Sequence, residues 1–161
     1  MTTMESPSHD GRKRILVLGY GNPGREDDGL GPAAAREIER MGWENVTVCD
    51  NYQLVIEDAA DVAEADAVWF VDASRTGLEP FEIRPLWPAH TIEFTTHLVR
   101  PEVILALAKV YFGRSPEAYL LGIRGYQFEF HERLSDDAKE NLKLAVDALA
   151  GRIREWEVAS K

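Results

Sequence analysis

The feature that most constrains the fold of this chain is a pair of short apolar runs, at 14–18 and 67–71. The first reads Arg-Ile-Leu-Val-Leu and is followed by Gly19; the second reads Ala-Val-Trp-Phe-Val and is followed by Asp72. Neither run alternates apolar with polar residues, and both are shorter than a typical helix, so each predicts a strand buried on both faces. Strands of this kind occur in parallel sheets whose two faces are covered by helices.

The other elements alternate along the chain in the order that such a sheet requires. Strands are predicted at 46–49, 81–86 and 119–123, and helices at 32–41, 55–64, 101–111 and 135–156, the last with Ser135 as its N-cap. We therefore predict a three-layer α/β/α fold with a mostly parallel, five-stranded twisted sheet. The predicted strand order is about 2-1-3-4-5. Segment 81–86 is an edge strand for which an antiparallel orientation stays open. Residues 1–13 are interpreted as a disordered tail, and 14–157 as one domain.

Composition excludes several classes of protein. The chain has 161 residues and a formal net charge of −10, which argues against a nucleic-acid partner. No apolar run approaches the length of a membrane span, and the polar start lacks the apolar core of a secretory signal. A single cysteine, Cys49, fits a reducing compartment. We expect a cytoplasmic monomer.

Carboxylates follow the first and third strands. Asp28 lies in the glycine-flanked loop Asp28-Gly-Leu-Gly31, and Asp72 comes directly after the third strand. In an open α/β sheet these two strand ends border the crevice where strand order reverses, which is where ligands bind. With His97, a lone imidazole ahead of a predicted helix, they form a candidate mixed oxygen and nitrogen site for a divalent metal that leaves coordination positions open. Each residue also has a structural interpretation, as a helix cap, a turn former or a solvent-exposed histidine.

The loop after the first strand has a second interpretation. Gly19-Tyr-Gly-Asn-Pro-Gly24 matches the dinucleotide-binding pattern, and Asp50 could serve as the ribose-binding acid. The next residues, Arg25-Glu-Asp-Asp28, place three acids where pyrophosphate would lie, and Pro23 removes a backbone donor. The pattern alone is weak, and we favour the metal-site interpretation.

Taken together, these motifs resemble those of the hydrogenase maturation proteases, which process the large subunits of nickel-iron hydrogenases. The resemblance runs from about Arg14 to Trp156 and is carried by the segments 19–32, 70–73, 96–97, 101–108, 111–113, 122–123 with Gly125, 128–129 and 134–135. It implies that Asp28, Asp72 and His97 bind nickel, and that Asp50 contributes to handling the substrate. Asp28 and Asp50 are the candidate catalytic carboxylates.

The activity implied by the resemblance is removal of a C-terminal peptide from the nickel-loaded precursor of a large subunit. Nickel would be carried by the substrate, so the free enzyme is expected to be largely metal-free. A non-enzymatic module that binds nickel and checks assembly, on the same fold, is the alternative. The sequence contains neither a His-Glu-x-x-His nor a Gly-x-Ser-x-Gly motif.

The cysteine and the aromatic residues are given structural roles. Cys49 ends an apolar strand and is interpreted as a buried thiol, not a nucleophile. Trp69 and Phe70 are predicted to lie in the core. Core packing is also favoured for Trp87, Tyr111 and Phe112, over a role in docking.

Overall fold

The computed structural model describes residues 12–93 and 99–159. The sheet contains β1 (Ile15–Tyr20), β2 (Val46–Asn51), β3 (Ala67–Ser74), β4 (Phe81–Pro85) and β5 (Glu117–Arg124). A 3₁₀ helix (Glu26–Gly29) leads into α1 (Leu30–Arg40), and the other helices are α2 (Asp58–Glu64), α3 (Pro101–Phe112) and α4 (Asp136–Ala159).

The five strands lie in the order β2-β1-β3-β5-β4. The first four of these pair in parallel, and β4 pairs antiparallel with β5 at the edge. The predicted α/β fold is confirmed, as is the edge strand, which is antiparallel; the observed order differs from 2-1-3-4-5 in the exchange of the last two strands. A parallel pair needs a long crossover connection, which α3 supplies between β3 and β5. β4 follows β3 without an intervening helix, but β5 pairs with both strands and lies between them, so β4 takes the outer position.

Two apolar cores lie on opposite faces of the sheet. On one face β1, β3 and β5 pack against α1 and α4, with Trp69 fully buried and its ring 4.7 Å from that of Tyr119. On the other face the same strands pack against α2 and α3 around the buried ring of Phe70. The predicted core positions of Trp69 and Phe70 are confirmed. Burial of side chains of this size stabilises the fold by roughly 1.5–3 kcal/mol each.

The ends of the helices follow the predicted local signals. Pro101 occupies the first turn of α3, and Gly113 ends that helix in the left-handed conformation with φ 72°. Ser135 precedes α4, and its hydroxyl accepts a hydrogen bond from the backbone N–H of Ala138 at 3.3 Å, as expected of an N-cap. α1 begins at Leu30, two residues before Pro32, because the preceding 3₁₀ turn runs directly into it.

Three aromatic side chains lie outside the core. Trp87, Tyr111 and Phe112 are 74%, 73% and 53% exposed, so the prediction that they pack in the core is wrong. Tyr111 and Phe112 are the last two residues of α3 and Trp87 lies just beyond β4, where no described element covers them. Within the described ranges, no helix is long and apolar enough to cross a bilayer.

Candidate active site

Asp28 is presented by a tight loop between β1 and α1. The backbone N–H of Asn22 donates to Oδ2 of Asp28 at 2.8 Å, and the side-chain Oδ1 of Asn22 accepts from the N–H of Gly24 at 2.9 Å. The Asn-Pro-Gly turn therefore orients the Asp28 carboxylate through a backbone N–H group. Sequence reasoning did not identify Asn22 as a supporting residue, although Asn followed by Pro-Gly is a typical turn signal.

Asp27, the neighbouring acid, holds this loop against a distant part of the chain. Its carboxylate is fully buried and accepts hydrogen bonds from the N–H groups of Tyr126, Gln127 and Ser135 at 2.7, 3.0 and 2.8 Å. It also accepts from the Ser135 hydroxyl at 2.7 Å. Burial alone would raise the pKa of Asp27, but the hydrogen bonds from Ser135, Tyr126 and Gln127 outweigh it and hold the pKa below its ordinary value. Asp27 is thus a structural anchor that positions Asp28.

The loop glycines are explained by close backbone packing. A Cβ on Gly21 would lie 2.0 Å from the carbonyl oxygen of Asp28, and one on Gly19 would lie 2.3 Å from that of Gly31. A Cβ on Gly31 would lie 2.4 Å from the carbonyl oxygen of Tyr20. The glycine pattern that resembles a dinucleotide fingerprint is therefore accounted for by contacts within the chain itself.

Asp72 lies on the face of the sheet that α3 covers. Side chains alternate along a strand, so Asp72 points to the same face as Phe70, two residues earlier. Its Oδ1 accepts from the N–H of Ala73 at 2.8 Å. Burial raises the pKa of Asp72 to about 7; the hydrogen bond from Ala73 opposes that rise and the charge of Asp28 adds to it. At neutral pH this carboxyl group is poised between its two protonation states, which is typical of functional sites.

Tyr20, at the end of β1, packs beside Asp72. Burial raises the pKa of its hydroxyl, and the charges of Asp72 and Glu102 raise it further, so the side chain stays neutral. Sequence reasoning missed Tyr20, because its position relative to Asp72 depends on the pairing of β1 with β3.

Asp28 and Asp72 open into one pocket with a volume of about 440 Å³. It is an open concavity at the carboxyl ends of the parallel strands, lined by Asp28, Asp72, Ala73, Ser74, Arg75, Glu82, Arg84, Leu120, Gly122 and Phe128. The charge of Asp28 acts on the titration of Asp72, which is a further sign that the two groups are close.

The other two predicted site residues are not part of this arrangement. Asp50, on β2, lines a smaller pocket and pairs with Arg36, its Oδ2 lying 3.4 Å from Nε. His97 lies outside the described residues. Within 12–93 and 99–159, no group of three histidine, cysteine or acidic side chains is placed to hold a metal ion. Asp28 and Asp72 provide carboxylate oxygens, which are ligands of the kind that divalent cations bind.

Cys49 lies away from this pocket, in a different one beside Asp61. The side chain is half-buried, less than predicted, and packs against the core between the sheet and α2. Burial and then the charges of Asp61 and Asp58 raise the pKa of its thiol, which disfavours the thiolate that a nucleophilic cysteine needs.

Solved structures with the same fold include several hydrogenase maturation proteases. The hydrogenase maturating endopeptidase HybD from E. coli superposes with a TM-score of 0.72 at 21% identity, covering 88% of this chain and 93% of that one. The NiFe hydrogenase maturation protease HycI from Thermococcus kodakarensis gives 0.69 at 24% identity, covering 90% and 95%. The endopeptidase HycI from Escherichia coli gives 0.63 at 27% identity, covering 89% and 90%.

No protein-family model matches the sequence, and no curated protein matches it. The likeness is thus one of three-dimensional structure, and it extends over nearly the whole of both chains in each pair. The chain has the fold of the hydrogenase maturation proteases, the family whose motifs its sequence resembles.

Proposed function

We propose that this protein is an endopeptidase that removes a C-terminal peptide from the nickel-loaded precursor of a NiFe-hydrogenase large subunit. The observation that carries the proposal is the shared pocket of Asp28 and Asp72, on a fold that superposes on named hydrogenase maturation endopeptidases over about nine-tenths of its length. Both carboxylates lie at the strand ends where an α/β sheet binds its ligands.

Nickel would enter this pocket as part of the substrate. Burial keeps the Asp72 carboxyl partly protonated near neutral pH, and an approaching cation would release that proton and stabilise the carboxylate. Asp28 is already oriented by Asn22, so its position changes little on binding. His97 is the proposed third ligand and supplies the nitrogen donor of a mixed site.

Peptide hydrolysis requires a base that takes a proton from the attacking water and returns it to the departing amine. Of the two candidate catalytic carboxylates, Asp28 lies in the pocket, and Asp50 lies outside it in an ion pair with Arg36. The geometry therefore favours Asp28 for this role. A metal ion held beside the scissile carbonyl would polarise it and make attack easier.

The direct test is a processing assay with nickel-loaded and nickel-free precursor, in which shortening of the large subunit is followed on a denaturing gel. We expect cleavage of the nickel-loaded form only, and loss of at least about a hundredfold in rate for Asp28→Asn and Asp72→Asn. His97→Ala tests the third ligand. Asp147→Asn, the same substitution at an exposed position of α4, is the matched control and should cleave normally.

Two outcomes would contradict the proposal. If the protein binds the nickel-loaded precursor without shortening it, it is the assembly-checking module instead. If both aspartate variants cleave at the wild-type rate, the pocket is not the active site.

A further inference from the structure

The candidate pocket has two cationic side chains beside its acids. Arg84 on β4 and Arg75 just after β3 both line it together with Asp28 and Asp72. We propose that these two arginines form a subsite for a carboxylate of the substrate, and that they select an acidic residue close to the bond that is cut. The inference rests on the proposed function and adds a specificity to it.

The position of Arg84 is set by the pairing of the two edge strands. Arg84 lies opposite Leu120, and Glu82 lies opposite Gly122, so these four residues share one face of the sheet. That is the face toward which Asp72 points, because Asp72 pairs with Gly122 in the neighbouring ladder. The side chain of Arg84 therefore lies on the same face of the sheet as the side chain of Asp72, two strands away.

The hydrogen-bond donors of Arg84 are available to a ligand. Its Nη1 lies 3.9 Å from Oε1 of Glu102, which is longer than a hydrogen bond. Its side chain is 53% exposed, so a ligand can reach it. Arg84 thus carries a positive charge at the pocket that Glu102 balances only loosely.

Arg75 lies against an aromatic ring of the same pocket. Its guanidinium carbon lies 3.9 Å from the centre of the Phe128 ring, which also lines the pocket. Stacking on a ring occupies the flat face of a guanidinium and leaves its in-plane N–H donors free, which is the geometry that binds a carboxylate through two hydrogen bonds. Among the described residues, Arg75 forms no ion pair of its own.

The surroundings explain why such a subsite is needed. The chain carries a net charge of −10, and three carboxylates (Asp28, Asp72 and Glu82) line the same pocket, so an acidic substrate segment would otherwise be repelled. A Cβ on Gly122 would lie 3.5 Å from Cγ of Glu82 and 3.7 Å from Cβ of Ser74, so Glu82 already lies over this part of the sheet and adds its negative charge to the pocket. A substrate segment in this pocket would lie beside Arg84 and Arg75, because both line it.

The test measures KM and kcat for processing of the nickel-loaded precursor by Arg84→Gln, Arg75→Gln and the double variant. Arg84→Lys keeps the charge and should recover part of the loss. Arg114→Gln is the matched control, since Arg114 is similarly exposed, pairs with Asp66 at 3.3 Å and lies at the amino end of β5. The same enzymes are then assayed on precursors whose acidic residues near the cut are replaced one at a time by the corresponding amides.

We expect each Arg→Gln variant to raise KM by about tenfold with kcat nearly unchanged, which is the size expected for one hydrogen-bonded charge pair. One amide-substituted precursor should show the same rise with wild-type enzyme and no further rise with the variants. An unchanged KM, or an equal rise on every amide-substituted precursor, would overturn the subsite. Failure of wild-type enzyme to cut any precursor would instead count against the proposed function, so the two failures are distinguishable.

Discussion

Asp27 provides the sharpest test of how the site is held in place. In the variant Asp27→Asn the side chain keeps its shape but loses its charge, and one of its two oxygens becomes an NH2 group. Oδ2 of Asp27 accepts three of its four hydrogen bonds, from Tyr126, Gln127 and the Ser135 hydroxyl, and Oδ1 accepts the fourth, from the Ser135 N–H. The best orientation of an asparagine therefore keeps three acceptor contacts and turns its NH2 group toward the N–H of Ser135.

The cost can be worked out from these contacts. Losing the fourth hydrogen bond and facing two donors toward each other in a fully buried site costs about 1–3 kcal/mol. The remaining three contacts change from charged to neutral hydrogen bonds and lose about half of their strength, which adds roughly 2 kcal/mol. We expect a loss of about 3–5 kcal/mol in the free energy of unfolding, or on the order of 10 °C in Tm for a domain of this size.

Urea unfolding of wild type, Asp27→Asn and the exposed control Asp147→Asn measures this loss. Because the folded pKa of Asp27 lies below its ordinary value, its contribution is present above the unfolded pKa and is lost as the pH falls through the folded pKa. The difference between wild type and Asp27→Asn should therefore be constant near neutral pH and shrink below about pH 4. A loss under about 1 kcal/mol at neutral pH, or a loss that does not shrink in acid, would refute this account.

Two further predictions concern the raised pKa of Asp72 and the close backbone packing at Gly31. Asp72 has a folded pKa of about 7 against an ordinary value of 3.8, so the wild-type protein loses stability as pH rises between these values, by at most about 4 kcal/mol. Asp72→Asn should therefore be more stable than wild type at pH 8 and lose that advantage near pH 4 in urea unfolding; equal pH profiles would contradict it. Gly31→Ala places a Cβ 2.4 and 2.5 Å from the carbonyl oxygens of Tyr20 and Val71, and should lower stability by about 2–3 kcal/mol. Gly151→Ala, in α4 with nothing within 4 Å of its added Cβ, should raise stability by about 0.5–1 kcal/mol. Urea unfolding of both variants measures the two effects, and equal effects would contradict the close packing at Gly31.

Local physical chemistry determined much of this protein from its sequence. Residues 15–18 of β1 and 67–71 of β3 include no polar residue to face water, so only a sheet covered on both sides can bury them. Proline and glycine at the ends of α3 act through their own backbone torsions, and Ser135 caps α4 through a neighbouring N–H. The placement of Asp28 and Asp72 at one edge of the sheet follows from the same regularity, since the carboxyl ends of parallel strands lie together.

Tertiary structure alone decided the properties that depend on residues far apart in the chain. Asp27 is an anchor because the segment about a hundred positions later closes over it, and nothing in its own neighbourhood indicates those donors. The raised pKa of Asp72 depends on how deeply the end of β3 is buried. Arg84 lines the pocket only because β4 pairs with β5 at the edge of the sheet. Sequence patterns report backbone preference and burial along one element, whereas strand order, desolvation and exposed positions such as Trp87 are set by which elements pack together.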